Sequence, residues 1–187
     1  MHYRWPKCSF QTTPDFSVAI ELAEEVSNLV GRSSPEESCD MILICQFGGF
    51  SLTIDGDGRG ADWPRFGNGQ GLIEPRDKGG FTITINLKHV LRFRSEFPNP
   101  HEFGKFVRGY IDFVAAHEVG ESFFWDHSTV PHLPSNKESQ REDFCDFFAT
   151  RLLYSPGFAT ALYFQSKKSK GQDLALLAAA HRVNQRR

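Results

Sequence analysis

The chain has 187 residues, 40% of them apolar and 24% charged, with a formal net charge of −2. That length fits a single domain over residues 1–187 built on one buried core. The near-neutral balance gives no electrostatic case for direct binding of nucleic acid or of a membrane surface, and no run approaches the about 18 apolar residues of a membrane helix.

Phenylalanine is the unusual component, with 18 copies, which points first to a tightly packed aromatic core. Met1 to Pro14 is polar and aromatic and lacks the apolar stretch of a signal peptide. The cysteines (Cys8, Cys39, Cys45, Cys145) form no C-x-x-C pair, which fits buried free thiols in a reducing cytoplasm.

Residues 15–30 carry a helical stripe of Val18, Ile20, Leu22, Ala23, Val26 and Leu29, with Asp15 as cap and Gly31 as stop. Ser34 and Pro35 give a start signal for a second helix running to about Phe47, and Gly48-Gly49 ends it. Phe50–Ile54 alternates as a strand. A glycine-rich loop follows to Gly71, then a short strand at Leu72–Glu74. Asp77–Gly80 reads as a turn, and Phe81–Asn86 is the clearest strand. These segments suggest an antiparallel sheet of about three strands.

Residues 87–94 are a short helix or connector, and Pro98–Pro100 is a break. Phe103, Phe106, Val107, Tyr110, Phe113, Val114, His117, Glu121 and Phe124 then recur at three and four, which predicts one long amphipathic helix. A loop covers 126–137. Helix 139–154 turns Phe144, Cys145, Phe148, Ala149, Leu152 and Leu153 inward and stops at Ser155–Gly157. A lysine-rich segment and a last helix from Asp173 to about Gln185 complete the chain. The expected fold is α+β, with helices packed on the sheet.

The chemistry concentrates at His117-Glu118-Val119-Gly120-Glu121. In H-E-x-x-H, two histidines one turn apart hold a metal and the glutamate between them activates water. Here Glu121 stands at the second histidine position. His117 and Glu121 lie about 5–6 Å apart at Cβ on one helix face, and Glu118 lies off that face, where it can act as base without ligating. Glu142, at the start of the next inward helix, supplies a third ligand from a different element. The bland alternative is a salt-bridged cluster, with Arg141 or Arg151 neutralising the carboxylates. His127 and His132 in the loop are spare ligands at most. Asp55–Gly60 only superficially resembles a calcium loop, because Arg59 and Phe66 stand where ligands should be.

These residues resemble the ImmA/IrrE metallo-endopeptidases of bacteria and their mobile elements. That family carries a strand ending in asparagine, then A-H-E-x-G-H-x-F-F-x-D, a variable loop, and E-x-x-A/C-N-x-F-A-x-x-L-L-x-P. This chain has Thr82–Asn86, Ala116–Asp126 and Glu142–Pro156, with Asp146 in place of the asparagine and one extra residue before the proline. The likeness spans roughly residues 15–185. It implies a zincin-like minimal metallopeptidase fold, with His117, Glu121 and Glu142 as metal ligands and Glu118 as catalytic general base. It also implies a protein substrate, a helix-turn-helix repressor in the family's stress responses. The implied cofactor is zinc. The extra carboxylate in this chain shifts the site towards manganese, iron or magnesium and weakens Lewis acidity. The second reading is a catalytically inactive pseudo-peptidase, with no metal, serving as a binding or regulatory module. A third is a hydrolase with a non-zinc metal and a non-peptide substrate.

Overall fold

Helix α1 (Phe16–Leu29) forms where the stripe predicts it, and buries Leu22, Ala23 and Val26 against α5 (Glu138–Leu153). The computed structural model describes residues 5–6, 16–31, 40–57, 63, 69–125, 138–168 and 173–184; Asp15, Ser34, Pro35, His127, His132 and the loop 126–137 lie outside them. Helix α2 (Met41–Gly48) starts later than Ser34-Pro35 suggests. Asp40 is extended and its carboxylate accepts the Ile42 N–H, so Asp40 is the N-cap. Gly49 ends the helix in the left-handed region at φ 72°, where a side chain would be strained.

Three strands follow: β1 (Phe50–Asp55), β2 (Gly71–Pro75) and β3 (Phe81–Asn86). They join in the order β1-β3-β2. Strand β2 is antiparallel to β3, with Ile73 opposite Ile83, but β1 is parallel to β3, with Leu52 opposite Ile83. The sheet is therefore mixed rather than antiparallel. The reason lies in the connections. Residues 76–80 form a tight turn closed by Arg76 N–H to Gly80 O, which forces a hairpin. Residues 56–70 are long enough to cross over, so β1 is free to pair in parallel. Alternating side chains specify a strand but not its direction.

Helix α3 (Lys88–Leu91) and a 3₁₀ turn, Arg94–Glu96, lead to α4 (Pro100–Glu121). Pro100 belongs to the helix: Asn99 caps it by accepting from His101 N–H, and proline occupies the first turn, where no donor is lost. Helix α4 is the centre of the molecule. It packs on α5, on α7 (Leu174–Asn184) and on β2 and β3. Tyr110, Phe113, Ala115, Ala116 and Val119 are buried along it. Phe123, in the 3₁₀ turn that follows, stands edge-on to Phe148 at 5.4 Å. The aromatic core is real, and Cys45 and Cys145 are buried free thiols.

Helix α6 (Pro156–Lys168) is absent from the sequence reading, which takes Ser155-Pro156-Gly157 as a stop only. The same residues also start a helix. Ser155 C=O accepts the Ala159 N–H, and Pro156 stands in the first turn. Helix α7 is capped by Asp173, whose carboxylate accepts from Ala175 and Leu176 N–H. No helix among the described residues is long and apolar enough to cross a membrane.

Candidate metal centre

The last two turns of α4, the first two turns of α5, strand β2 and the start of α7 enclose a cleft of about 950 Å³. His117, Glu118, Glu121, Arg141, Glu142 and Asp146 all line it. The site residues expected from sequence thus come together, Arg141 lies among them as the neutralising cation of the salt-bridge alternative, and Asp146 is added. Arg151 is elsewhere, paired with Glu24 of α1 at 3.2 Å.

His117 is held at both nitrogens. Its Nδ1 lies 3.0 Å from Asp146 Oδ1 and its Nε2 lies 3.4 Å from Glu142 Oε2. Burial works against charge on this ring. Hydrogen bonds to Asp146 and Glu142, with the field of Asp146 and Glu118, outweigh burial and raise its pKa well above the imidazole range. The bond to His117 is in turn the main cause that lowers the pKa of Glu142. A carboxylate on Nδ1 fixes the ring, and Nε2 can bind a metal once it gives up the proton it shares with Glu142; an Nδ1–carboxylate contact is the usual arrangement behind a metal-binding histidine.

Glu121 faces two partners. Arg141 Nε approaches its Oε1 at 3.2 Å, and the Cys145 thiol donates to the same oxygen at 3.4 Å. Arg141 also reaches Glu142 at 3.7 Å. Its Nε makes no well-aligned hydrogen bond, so the contact with Glu121 is electrostatic rather than a closed bidentate pair. Burial raises the pKa of Glu121 against the pull of Arg141.

Glu118 is buried and turned towards β2. A Cβ on Gly71 would overlap its carboxylate and a Val114 methyl; the absence of a side chain at 71 is what admits Glu118 to the sheet edge. Burial is the main cause that pushes its pKa up to about 8, with Glu121 and Glu142 adding and His117 and Arg141 opposing. Such a carboxyl exchanges a proton near neutrality, as a general base must.

The donor chemistry fits a divalent cation. His117, Glu121 and Cys145 offer an N, an O and an S atom all within 4.8 Å of one another, and the buried carboxylates Glu118 and Glu121 lie in the field of the Arg141 guanidinium, which also serves Glu142. The sequence marks Cys145 as an inward-facing residue on the stripe of Glu142 and Asp146 as the residue in place of the family's asparagine; neither is read there as part of the site. Gln70 and Asp173, hydrogen-bonded to each other across the cleft mouth, carried no signal there. Compared with protein-family models, curated proteins and solved structures, the chain matches none.

Proposed function

We propose that the cleft is the working site of a metal-dependent endopeptidase of the ImmA/IrrE type. The observation that carries this reading is one arrangement. A histidine tethered through Nδ1 to Asp146 presents Nε2 to Glu142, with Glu118 one residue on and Glu121 one turn on along the same cleft. His117, Glu121 and Glu142 are the ligands that the motif implies, and zinc is the implied ion. When bound, a divalent ion supplies Lewis acidity to a peptide carbonyl.

The chain's own residues do the rest. Strand β2 is an outer strand of the sheet and lines the cleft along its whole length. Among the described residues no strand pairs with its outer edge, and such an edge accepts an extended peptide by main-chain hydrogen bonds. Trp125, Phe124 and Leu174 give the cleft apolar walls. Glu118 takes a proton from water at its carboxylate and delivers it to the leaving amine. A protein substrate with an extended segment fits this geometry, and the family resemblance points to a helix-turn-helix repressor.

One observation favours a second reading. Arg141 already sits on Glu121 and Glu142, so part of the charge that an ion would neutralise is neutralised without one. On that reading the cleft binds a partner segment and does not cut it.

Incubating the zinc-loaded protein with a helix-turn-helix repressor encoded beside its gene separates the two. The endopeptidase reading expects cleavage, and Glu118→Gln lowers it by about 10²–10⁴-fold, the worth of a positioned base, with zinc binding retained. Tight repressor binding without cleavage supports the binding module. Cleavage that survives Glu118→Gln removes Glu118 from the mechanism.

A further inference from the structure

The geometry points to Cys145 as a metal ligand, which makes the centre a His117–Glu121–Cys145 zinc site with Glu142 outside the ion's shell. This rests on the reading of the cleft as a metal centre, and changes its ligand set and its metal.

The grouping of the donor atoms favours the thiol over the carboxylate. The Cys145 Sγ to Glu121 Oε1 separation is 3.4 Å, close to the about 3.5 Å between two donors on one tetrahedral zinc at bond lengths of 2.0–2.3 Å. The three donor atoms His117, Glu121 and Cys145 form a close group; Glu142 meets His117 but does not belong to it. Glu142 is also half exposed and already engaged, by His117 on one oxygen and Arg141 on the other. Cys145 is fully buried, and its thiol faces Glu121.

The backbone is built for this contact. At Gly120 the helices α4 and α5 approach so closely that an added Cβ would lie 3.3 Å from Cys145 Cα and 3.1 Å from Phe148 Cδ1. That approach brings the Cys145 side chain onto the His117–Glu121 face. The missing second histidine is thus offset from α5, and Arg141 keeps Glu142 as partner when an ion takes Glu121. On binding, the Cys145 S–H bond breaks, the S–metal bond forms with the sulfur electron pair, and the proton leaves to solvent. The thiolate makes the site soft-leaning, so it selects zinc over manganese and magnesium.

Cobalt is the probe for the test, because a thiolate ligand gives Co²⁺ an intense near-ultraviolet charge-transfer band that N and O ligands do not. The full-length reduced protein is titrated with Co²⁺, then with Zn²⁺, Mn²⁺ and Mg²⁺ by calorimetry. The expected result is a charge-transfer band that Zn²⁺ abolishes and that Cys145→Ser removes. Zinc binding weakens by at least roughly 100-fold in Cys145→Ser, the upper end of what loss of an outer-shell partner costs, and by less in Glu142→Gln. The band is read on the unaltered protein, so it does not depend on the variant's folding. Stoichiometric metal binding without the band, or with manganese binding as tightly as zinc, overturns the cysteine assignment and leaves Glu142 as third ligand. Failure of every ion to bind overturns the metal centre itself.

Discussion

Glu118 is buried among charges of both signs, and burial raises its pKa most. A carboxyl that titrates at 4.5 in the open chain and at about 8 when folded keeps its proton in the native state across that window, while the unfolded chain loses it. Stability therefore falls as pH rises between the two values and levels off above them. His117 adds the same sign: its raised folded pKa means a contribution complete below the ordinary imidazole range and lost as pH rises through the folded value. Glu142, with a lowered pKa, acts on the acid side, where its contribution is lost as pH falls. Protein stripped of metal should thus be more stable at about pH 6 than at about pH 9, by on the order of a few kcal/mol. Glu118→Gln should flatten much of that slope. Urea unfolding midpoints in chelator measure it, and a profile that rises across this range contradicts a buried protonated Glu118.

Among the elements, two glycines set the positions of the reactive groups in different ways. Gly120→Ala presses on Cys145 and Phe148, and on the Cys145 backbone itself, so α5 must move by a few tenths of an ångström. An overpacked core contact of this kind costs about 1–3 kcal/mol. Gly71→Ala meets the end of the Glu118 side chain, which can swing aside, and also the Cγ1 methyl of buried Val114 at 2.7 Å, which cannot do so freely. Its expected signature is a destabilisation of about 1–3 kcal/mol as well, accompanied by a loss of Glu118-dependent chemistry. Thermal melts of both variants check this, and an unchanged midpoint in Gly71→Ala contradicts it. The sequence announced α4 and α5 clearly, because His117, Glu121 and the apolar residues around them repeat at three and four. It announced the strands through alternation, yet could not show that β1 runs parallel to β3, since pleating is blind to direction. Helix α6 was hidden by Ser155-Pro156, a pair that can close one helix and open the next. Cys145 was legible as a core residue and not as a donor, because a buried cysteine ordinarily packs as a small hydrophobe. Only the approach of α4 to α5 at Gly120 gives its thiol a second meaning.

At the scale of the whole molecule, the cleft is where the sheet edge and three helices meet, and its donors come from two of those helices. An ion held by His117 and Glu121 of α4 and by Cys145 or Glu142 of α5 ties these elements together, and the unfolded chain has no such site. Metal affinity is then folding free energy. Zinc at about 100 times its Kd should add about 2.7 kcal/mol to stability, which raises Tm by roughly 5–10 °C at the 2–4 °C per kcal/mol typical of a chain this size. The increment should grow with zinc concentration and vanish with chelator, and His117→Ala should abolish it from a baseline Tm that is itself lowered by the loss of the contacts to Asp146 and Glu142. A binding module neutralised by Arg141 predicts the opposite: no zinc-dependent shift, and a rise in Tm only with the partner segment. Scanning calorimetry with zinc, with chelator and with repressor therefore ranks the two readings in one experiment. A Tm indifferent to zinc across the whole titration contradicts a metal centre in this cleft, whichever residue is its third ligand.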